Sequence, residues 1–143
     1  PLAAPEALNL CISQNQASRT GGILEKKEGA SMIHISVSPG NCRFETELVF
    51  EGDKRRKVTI HGMSRCPHVQ KLLELLEEQG ELDALKEATG RYSSSGVFAL
   101  ADRTVKHVAC PVPTAILKGI EAAGGLSLAQ DVVITMEKVD PEP

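Results

Sequence analysis

Three short segments of alternating apolar and polar residues, joined by tight turns, constrain the fold of this chain most strongly. The first runs from Met32 to Ser38 and ends at the turn 39–41, where Pro, Gly and Asn favour a change of direction. The second covers Cys42–Glu51, and the third, Lys57–His61, follows a Gly-Asp turn. Such segments, connected by only a few residues, predict an antiparallel three-stranded meander.

The second half of the chain carries helical patterns instead. Pro67 opens an amphipathic segment that Gly80 ends, and a second short helix is expected over Glu81–Thr89. Cys110-Pro111-Val112-Pro113 opens a further helix that extends through Ala123, and the apolar alternation of Asp131–Val139 predicts a closing strand. We therefore expect an α+β fold: a two-layer sandwich with the meander, two or three helices and a C-terminal strand.

Length and composition indicate one domain. The chain has 143 residues, of which 41% are hydrophobic, so it can bury a substantial core. Residues 1–31 mix small, polar and charged residues without periodicity, and we interpret them as a flexible or artificial extension. The domain is expected over residues 32–139, with a disordered tail at 140–143. Since aromatic residues make up only 3%, the core must consist mainly of Leu, Val, Ile and Ala.

Charge and hydropathy exclude some partners. The net charge of −3 disfavours an electrostatic nucleic-acid binder, and the one basic run, Lys54–Lys57, is expected to be solvated at a hairpin tip. No apolar stretch is long enough to cross a membrane, and the N-terminus shows no secretory-signal pattern. We therefore expect a cytoplasmic protein, and in that reducing compartment cysteines are usually reactive, metal-binding or buried rather than paired in disulfides.

Two cysteines occupy the same local position. Cys66 and Cys110 each directly precede a proline that begins a predicted helix. A side chain at that place faces unpaired backbone N–H groups and the positive end of the helix dipole. Both effects favour the thiolate over the thiol, and a thiolate is both a nucleophile and a metal ligand.

Two more residues extend this pair to a possible ligand set. Cys42 follows the Pro-Gly-Asn turn, and His107 precedes Cys110 in a His-x-x-Cys spacing that allows both side chains to reach one metal. Three thiolates and one imidazole suit tetrahedral zinc or an iron–sulfur cluster. The first hypothesis is therefore a metal- or cluster-binding protein, rather than an enzyme, that uses Cys42, Cys66, Cys110 and His107.

Two alternatives remain open from the residues alone. Cys110 could be the nucleophile of a sulfur carrier or thiol redox protein, with Cys66 as the resolving thiol. In either functional case a protein partner in sulfur or metal trafficking is expected. The cysteines could instead be small core residues of a structural or interaction module, since free Cys is among the most buried residue types. Cys11 lies in the N-terminal extension and is left out of the site.

The motif Cys110-Pro111-Val112-Pro113, with Lys118 beyond it, resembles the Cys-Pro-x-Pro motif of the small sulfur carriers SirA and TusA. That resemblance implies a persulfide on Cys110. More of the chain resembles a small uncharacterised family of prokaryotes and archaea. Its pattern is a Cys after a Pro-Gly turn, then Cys-Pro-x-Val, then His-x-x-Cys-Pro-Val-Pro. These motifs fall at Cys42, Cys66–Val69 and His107–Pro113. The resemblance implies that these residues belong together, but it implies no known activity.

Overall fold

The predicted meander forms the sheet of the protein. The structure is a computed structural model that describes residues 30–142. Its strands are β1 (Ser31–Val37), β2 (Thr46–Gly52), β3 (Lys57–Ser64) and β4 (Leu82–Asp83). They lie in the order β1-β2-β3-β4, and each neighbouring pair is antiparallel. The short fourth strand extends the meander that the alternating pattern predicts.

The helices form a second layer. They are α1 (Pro67–Gln79), α2 (Ala84–Ala88), α3 (Gly96–Thr104) and α4 (Val112–Ala123), with a short 3₁₀ turn at Tyr92–Ser94. α1 packs on β3, α4 packs on β1 and β2, and α3 packs against both α1 and α4. This arrangement confirms the α+β class. In the described part of the chain, no helix has the length and apolar character that a membrane crossing requires.

Strand alternation decides which sheet face is covered. The inward side chains of β2 and β3 are fully or almost fully buried: Leu48, Phe50, Val58 and Ile60. The opposite face carries polar side chains such as Glu47 and Thr59. Aliphatic residues of α1 and α4 complete the core, as the scarcity of aromatic residues predicts.

Two close approaches fix α4 on the sheet. A Cβ at Gly119 would overlap the ring of Phe50, and a Cβ at Gly52 would overlap the carbonyl of Ala123. The Ser31 hydroxyl also donates a hydrogen bond of 2.6 Å to the Ala123 carbonyl. The C-terminal end of α4 is therefore fixed beside the start of β1 and the end of β2.

The second strand begins later than the alternation predicts. It starts at Thr46 rather than Cys42, because residues 42–45 continue the preceding loop. The Arg43 N–H bonds the Gly40 carbonyl at 3.0 Å, and Arg43 takes the left-handed conformation with φ +56°. A residue in that conformation cannot continue a strand, so Cys42 lies in a loop.

The helix predicted over 81–89 is shorter than expected. Leu82 and Asp83 instead pair with Val58 and Lys57 as β4. Asp83 has an extended backbone and accepts a hydrogen bond from the Lys86 N–H, so it caps α2 rather than lying inside it. Aspartate competes in this way with helical backbone bonding, which explains its preference for the N-cap.

The predicted closing strand over Asp131–Val139 is not present. Residues 127–142 form neither helix nor strand, and residues 128–142 are exposed. A strand pattern is realised only where a neighbouring strand supplies backbone hydrogen bonds, and the described chain places none beside this segment. The extension predicted over 1–31 lies, up to residue 29, outside the described residues.

Candidate functional site

The path of the sheet brings Cys42 and Cys66 to one end of the molecule. β1 ends at Val37 and β2 begins at Thr46, so the loop that holds Cys42 lies at this end. β3 runs antiparallel to β2 and pairs Ser64 with Thr46, so Cys66 follows at the same end.

Cys110 reaches this end from the helical layer. The C-terminus of α4 lies beside the start of β1, at the opposite end of the sheet. α4 has 12 residues and is therefore about 18 Å long, close to the length of β1. Its N-terminus, with Cys110 two residues before it, consequently lies where β1 ends. We call this end of the molecule, with Cys42, Cys66 and Cys110, the cysteine end.

Cys66 is held by its neighbours in sequence. It is the N-cap residue of α1, and its thiol makes no capping hydrogen bond. The Cys66 N–H donates to the Ser64 hydroxyl at 3.2 Å, and the Ser64 N–H donates to the Gln70 side-chain oxygen at 2.9 Å. Ser64 and Gln70 are positioning residues that the sequence analysis missed, because their spacing matches no common capping pattern.

Cys110 is held by a turn and by the helix that follows. Its N–H donates to the His107 carbonyl at 3.0 Å, and its thiol accepts a hydrogen bond from the Val112 N–H. Partial burial nevertheless raises the pKa of the Cys110 thiol above its ordinary value, and the charges of Cys66 and Cys42 raise it further. The lowered pKa expected for Cys110 is therefore wrong, because desolvation outweighs the helix N–H.

Cys66 and Cys42 lie near enough to Cys110 for their charges to act on its thiol, which agrees with the common end of the fold on which the three segments meet. The sulfurs do not form a ready ligand set. Within residues 30–142, no three His, Cys, Asp or Glu side chains are arranged to hold a metal ion. All three cysteines are free thiols, with Cys42 exposed and Cys66 and Cys110 half-buried.

His107 joins the cysteine end through its backbone. Its carbonyl accepts the Cys110 N–H, which places both residues in one tight turn, and its imidazole is exposed. The local His-x-x-Cys spacing therefore does produce a turn. The role of His107 as a fourth ligand stays a prediction.

The start of α3 is capped by oxygen atoms. One Glu87 carboxylate oxygen accepts hydrogen bonds from Gly96 N–H at 2.9 Å and Val97 N–H at 3.3 Å, at the first turn of α3. The Ser95 hydroxyl accepts from Phe98 N–H at 3.3 Å. The Ser-rich loop before α3 thus lies against the protein's own carboxylate.

The remaining histidines lie apart from the thiols or on the surface. His34 donates or accepts a hydrogen bond of 2.6 Å with Glu47 on the outer sheet face, and Ser36 donates to the same Glu47 oxygen at 2.7 Å. Because both side chains bond the carboxylate rather than each other, this cluster does not activate the serine. His68 is exposed in the first turn of α1.

A family model matches residues 33–136, which include all three thiols and His107. The chain belongs to the family of unknown function DUF6951. This match agrees with the resemblance to an uncharacterised family and gives no support to the resemblance to SirA and TusA. No curated protein and no solved structure matches the chain.

Proposed function

We propose that this protein binds a thiophilic metal, either zinc or the iron of an iron–sulfur cluster, through Cys42, Cys66 and Cys110. One observation carries the proposal: three segments that are distant in sequence bring their cysteines to one end of the fold. His107, in the same turn as Cys110, is the proposed fourth ligand. The site would belong to a binding protein rather than an enzyme, in a reducing compartment where thiols persist.

The two helix starts at the cysteine end support thiolate ligands. The first N–H groups of α1 and α4 have no Asp, Ser, Thr or Asn side chain at the N-cap position, which is occupied by Cys66 and Pro111. Oxygen caps normally satisfy such groups. A bound metal with thiolate ligands would instead place negative sulfur atoms at the positive ends of both helices.

The mutual repulsion of the sulfurs supports a cation as their partner. Two of the three cysteines at this end are half-buried, and both burial and the charges of Cys66 and Cys42 raise the pKa of the Cys110 thiol. A divalent cation makes the thiolate form favourable instead. Each thiol that becomes a ligand releases its proton to solvent and forms a metal–sulfur bond. The donor set is sulfur-rich, which favours zinc or an iron–sulfur cluster over Mg²⁺ or Ca²⁺.

Assembly of the site requires a movement, since the thiols are not preformed into a ligand set. Cys42 is the member expected to move, because its loop is exposed. Cys66 and Cys110, by contrast, are attached to helices packed on the sheet. Metal sites built from separate segments commonly complete their geometry only when the ion binds.

The sulfur-carrier alternative receives less support from the same site. A carrier needs an accessible, readily ionised sulfur, whereas Cys110 is half-buried and its thiol pKa is raised by that burial. Incubation with a cysteine desulfurase and cysteine should therefore leave the intact mass unchanged. An added sulfur mapped to Cys110 would favour the carrier over the metal site.

The test is purification of the full chain without oxygen, followed by metal analysis, acid-labile sulfide determination and a titration with Co²⁺ as a spectroscopic probe. We expect either one zinc per chain or an iron–sulfur chromophore with matching sulfide. In metal-free protein, Co²⁺ should produce thiolate-to-cobalt charge-transfer absorption that saturates at one ion per chain. Zn²⁺ should then displace it.

Single substitutions separate the ligands from the other thiol. Cys42→Ser, Cys66→Ser and Cys110→Ser should each weaken binding by about 10²-fold or more, because each removes a thiolate. Cys11→Ser is the matched control, since it removes a cysteine outside the residues 33–136 that the family model matches, and it should leave binding unchanged. Folded protein that binds neither metal nor cluster would overturn the proposal, as would equal effects of all four variants.

A further inference from the structure

The segment after α4 leaves an unusual amount of apolar surface in water. Residues 128–142 are exposed, and their large side chains include Val133 at 79% and Met136 at 88% relative accessibility. The run from Val132 to Val139 is rich in β-branched residues. It opens with three apolar residues, Val132–Ile134, and then alternates polar with apolar positions from Thr135 to Glu137. A segment of this kind is stable in water only when a neighbouring sheet covers it.

Most of this segment lies within the part of the chain that the family model matches rather than in an appended tail. The family match extends to residue 136 and so includes Val132–Met136. The chain is also anchored immediately before it: the Leu126 N–H donates to the Glu121 carbonyl at 2.9 Å, and the Leu126 side chain packs against the core. The segment therefore starts from a fixed point beside the end of α4.

That starting point lies next to an open sheet edge. Ser31, the first residue of β1, bonds the last residue of α4. Among residues 30–142, β1 pairs with β2 only, so its other side offers unpaired backbone groups along seven residues. The inward side chains of this edge strand, Ile33, Ile35 and Val37, are only partly buried, unlike those of β2.

We propose that the C-terminal segments of two copies of this chain are exchanged, each adding as a strand to the free β1 edge of the other copy. The eight residues 132–139 are long enough, at about 3.3 Å per residue, to pair with all seven residues of β1. Val132, Ile134 and Met136 share one face of such a strand and would continue the inner apolar row over Ile33, Ile35 and Val37. The exchange is reciprocal, which closes the assembly as a symmetric dimer.

A second copy fits this edge better than the chain's own segment. Within one chain the segment already lies beside the β1 edge at its starting point, yet residues 128–142 stay exposed and unpaired. Gly124 and Gly125 precede it, and Gly125 has φ +72°, so the helical path ends in a left-handed turn before this segment begins. Exchange through a terminal segment that follows such a turn is a common route to dimers.

The test is the mass of the full chain in solution by light scattering and sedimentation, across protein concentrations. We expect twice the chain mass of 15.3 kDa. Ile134→Lys places a charge on the inner face of the added strand and should weaken the dimer by 100-fold or more. Thr135→Lys, the matched control, changes the outer face and should leave it intact.

A full-length chain that stays monomeric at high micromolar concentration overturns the exchange, and so does an equal effect of the two lysine variants. Amide hydrogen exchange distinguishes pairing of the segment within one chain from its exchange between two copies. Protection of residues 132–139 that is independent of protein concentration would mean pairing within one chain, which also contradicts the proposal. Protection that appears with dimerisation and is lost in Ile134→Lys supports it. The outcome does not depend on metal, so it is separable from the metal-site test.

Discussion

The helix starts of this protein fall into two kinds. α2 and α3 begin with oxygen caps: Asp83 accepts from the Lys86 N–H, and Glu87 with Ser95 covers the first turn of α3. α1 and α4 begin at the cysteine end, where Cys66 makes no capping hydrogen bond and the Cys110 thiol bonds Val112 N–H. A sulfur atom is a weaker acceptor than a carboxylate or hydroxyl oxygen.

The difference in capping is what the proposed metal site would require. The α3 start is satisfied entirely within the chain, so it has little capacity left for an anion. The α1 and α4 starts are left to sulfur atoms, which stabilise a helix less than oxygen caps but bind soft metals far better. Stability at this end is therefore lower than the fold could provide, in the manner expected of a functional site.

The largest loss of stability is expected from a substitution that disrupts the packing of α4, the helix that follows Cys110. Gly119→Ala places a methyl group in the ring of Phe50, so α4 must move away from β2. We expect a loss of about 1–3 kcal/mol in the free energy of unfolding, net of the better helix propensity of alanine. Chemical denaturation measures it, and Co²⁺ affinity should fall too. Thr114→Ala, exposed on the same helix, is the control, and equal stability of both variants would contradict this packing.

The next largest loss of stability is expected from removing the oxygen cap at the start of α3. Glu87→Ala leaves the Gly96 and Val97 N–H groups without their acceptor, which should cost about 1–2 kcal/mol. Because this cap lies away from the cysteine end, Co²⁺ affinity should not change. Glu78→Ala, at an exposed position of α1, should change neither quantity. Weaker metal binding in Glu87→Ala would show that the two kinds of helix start are coupled.

Cys66→Ser is expected to raise the stability of the metal-free protein and to lower its affinity for metal. Serine at an N-cap with this extended backbone can accept from the first-turn N–H groups, so the metal-free protein should gain up to about 1 kcal/mol. Metal binding should be lost at the same time. Thermal unfolding with and without Zn²⁺ measures both changes. A destabilised metal-free variant would instead identify Cys66 as a core residue whose burial matters more than its position.

The smallest effect lies at the far end of α1. Partial burial by itself would raise the pKa of Glu77, but the His61 side chain and the Gly62 N–H outweigh it and hold the pKa below its ordinary value. Ionised Glu77 therefore stabilises the folded state. This stabilisation is fully present above the ordinary carboxyl pKa and is lost as the pH falls through the lowered pKa of Glu77. Since Glu77 is 40% exposed, solvent screening limits it to a few tenths of a kcal/mol.

Urea denaturation between pH 3 and pH 7 should show this acid-side loss in the native chain. Glu77→Gln should flatten the profile, whereas Glu78→Gln should leave it unchanged. Identical profiles for all three proteins would contradict the assigned interaction. The pH window is chosen because it spans the ordinary range of carboxyl pKa values.

The parts of the fold that depend on local pattern were predictable from the sequence. Alternation in Met32–Ser38 and the proline at Pro67 correctly placed β1 and the start of α1. Predictions failed where a non-local partner decides the structure. Leu82 became a strand residue because β3 lies beside it, and Asp131–Val139 formed no strand because no described strand pairs with it.

The sequence pointed to the cysteines that meet at one end of the fold, but not to the tertiary environment of their thiols. Two Cys-Pro helix starts pointed to Cys66 and Cys110, but their shared location with Cys42 depends on the antiparallel return of β3 and α4. Local reasoning also predicted a lowered pKa for Cys110, because burial is a tertiary property that the motif does not contain. The sequence pattern also did not predict the role of Glu87, because its carboxylate caps a helix that begins nine residues later in the chain.

X-ray absorption at the metal edge of the zinc- or iron-loaded protein counts the sulfur atoms bound to the metal, and so measures directly whether Cys42, Cys66 and Cys110 are its ligands. We expect about three protein sulfur ligands near 2.3 Å for zinc, falling by one in Cys42→Ser. For a cluster, we expect iron–iron scattering together with cysteine sulfur. A first shell made only of nitrogen and oxygen, or a sulfur count unaffected by Cys42→Ser, would contradict a metal held at the cysteine end.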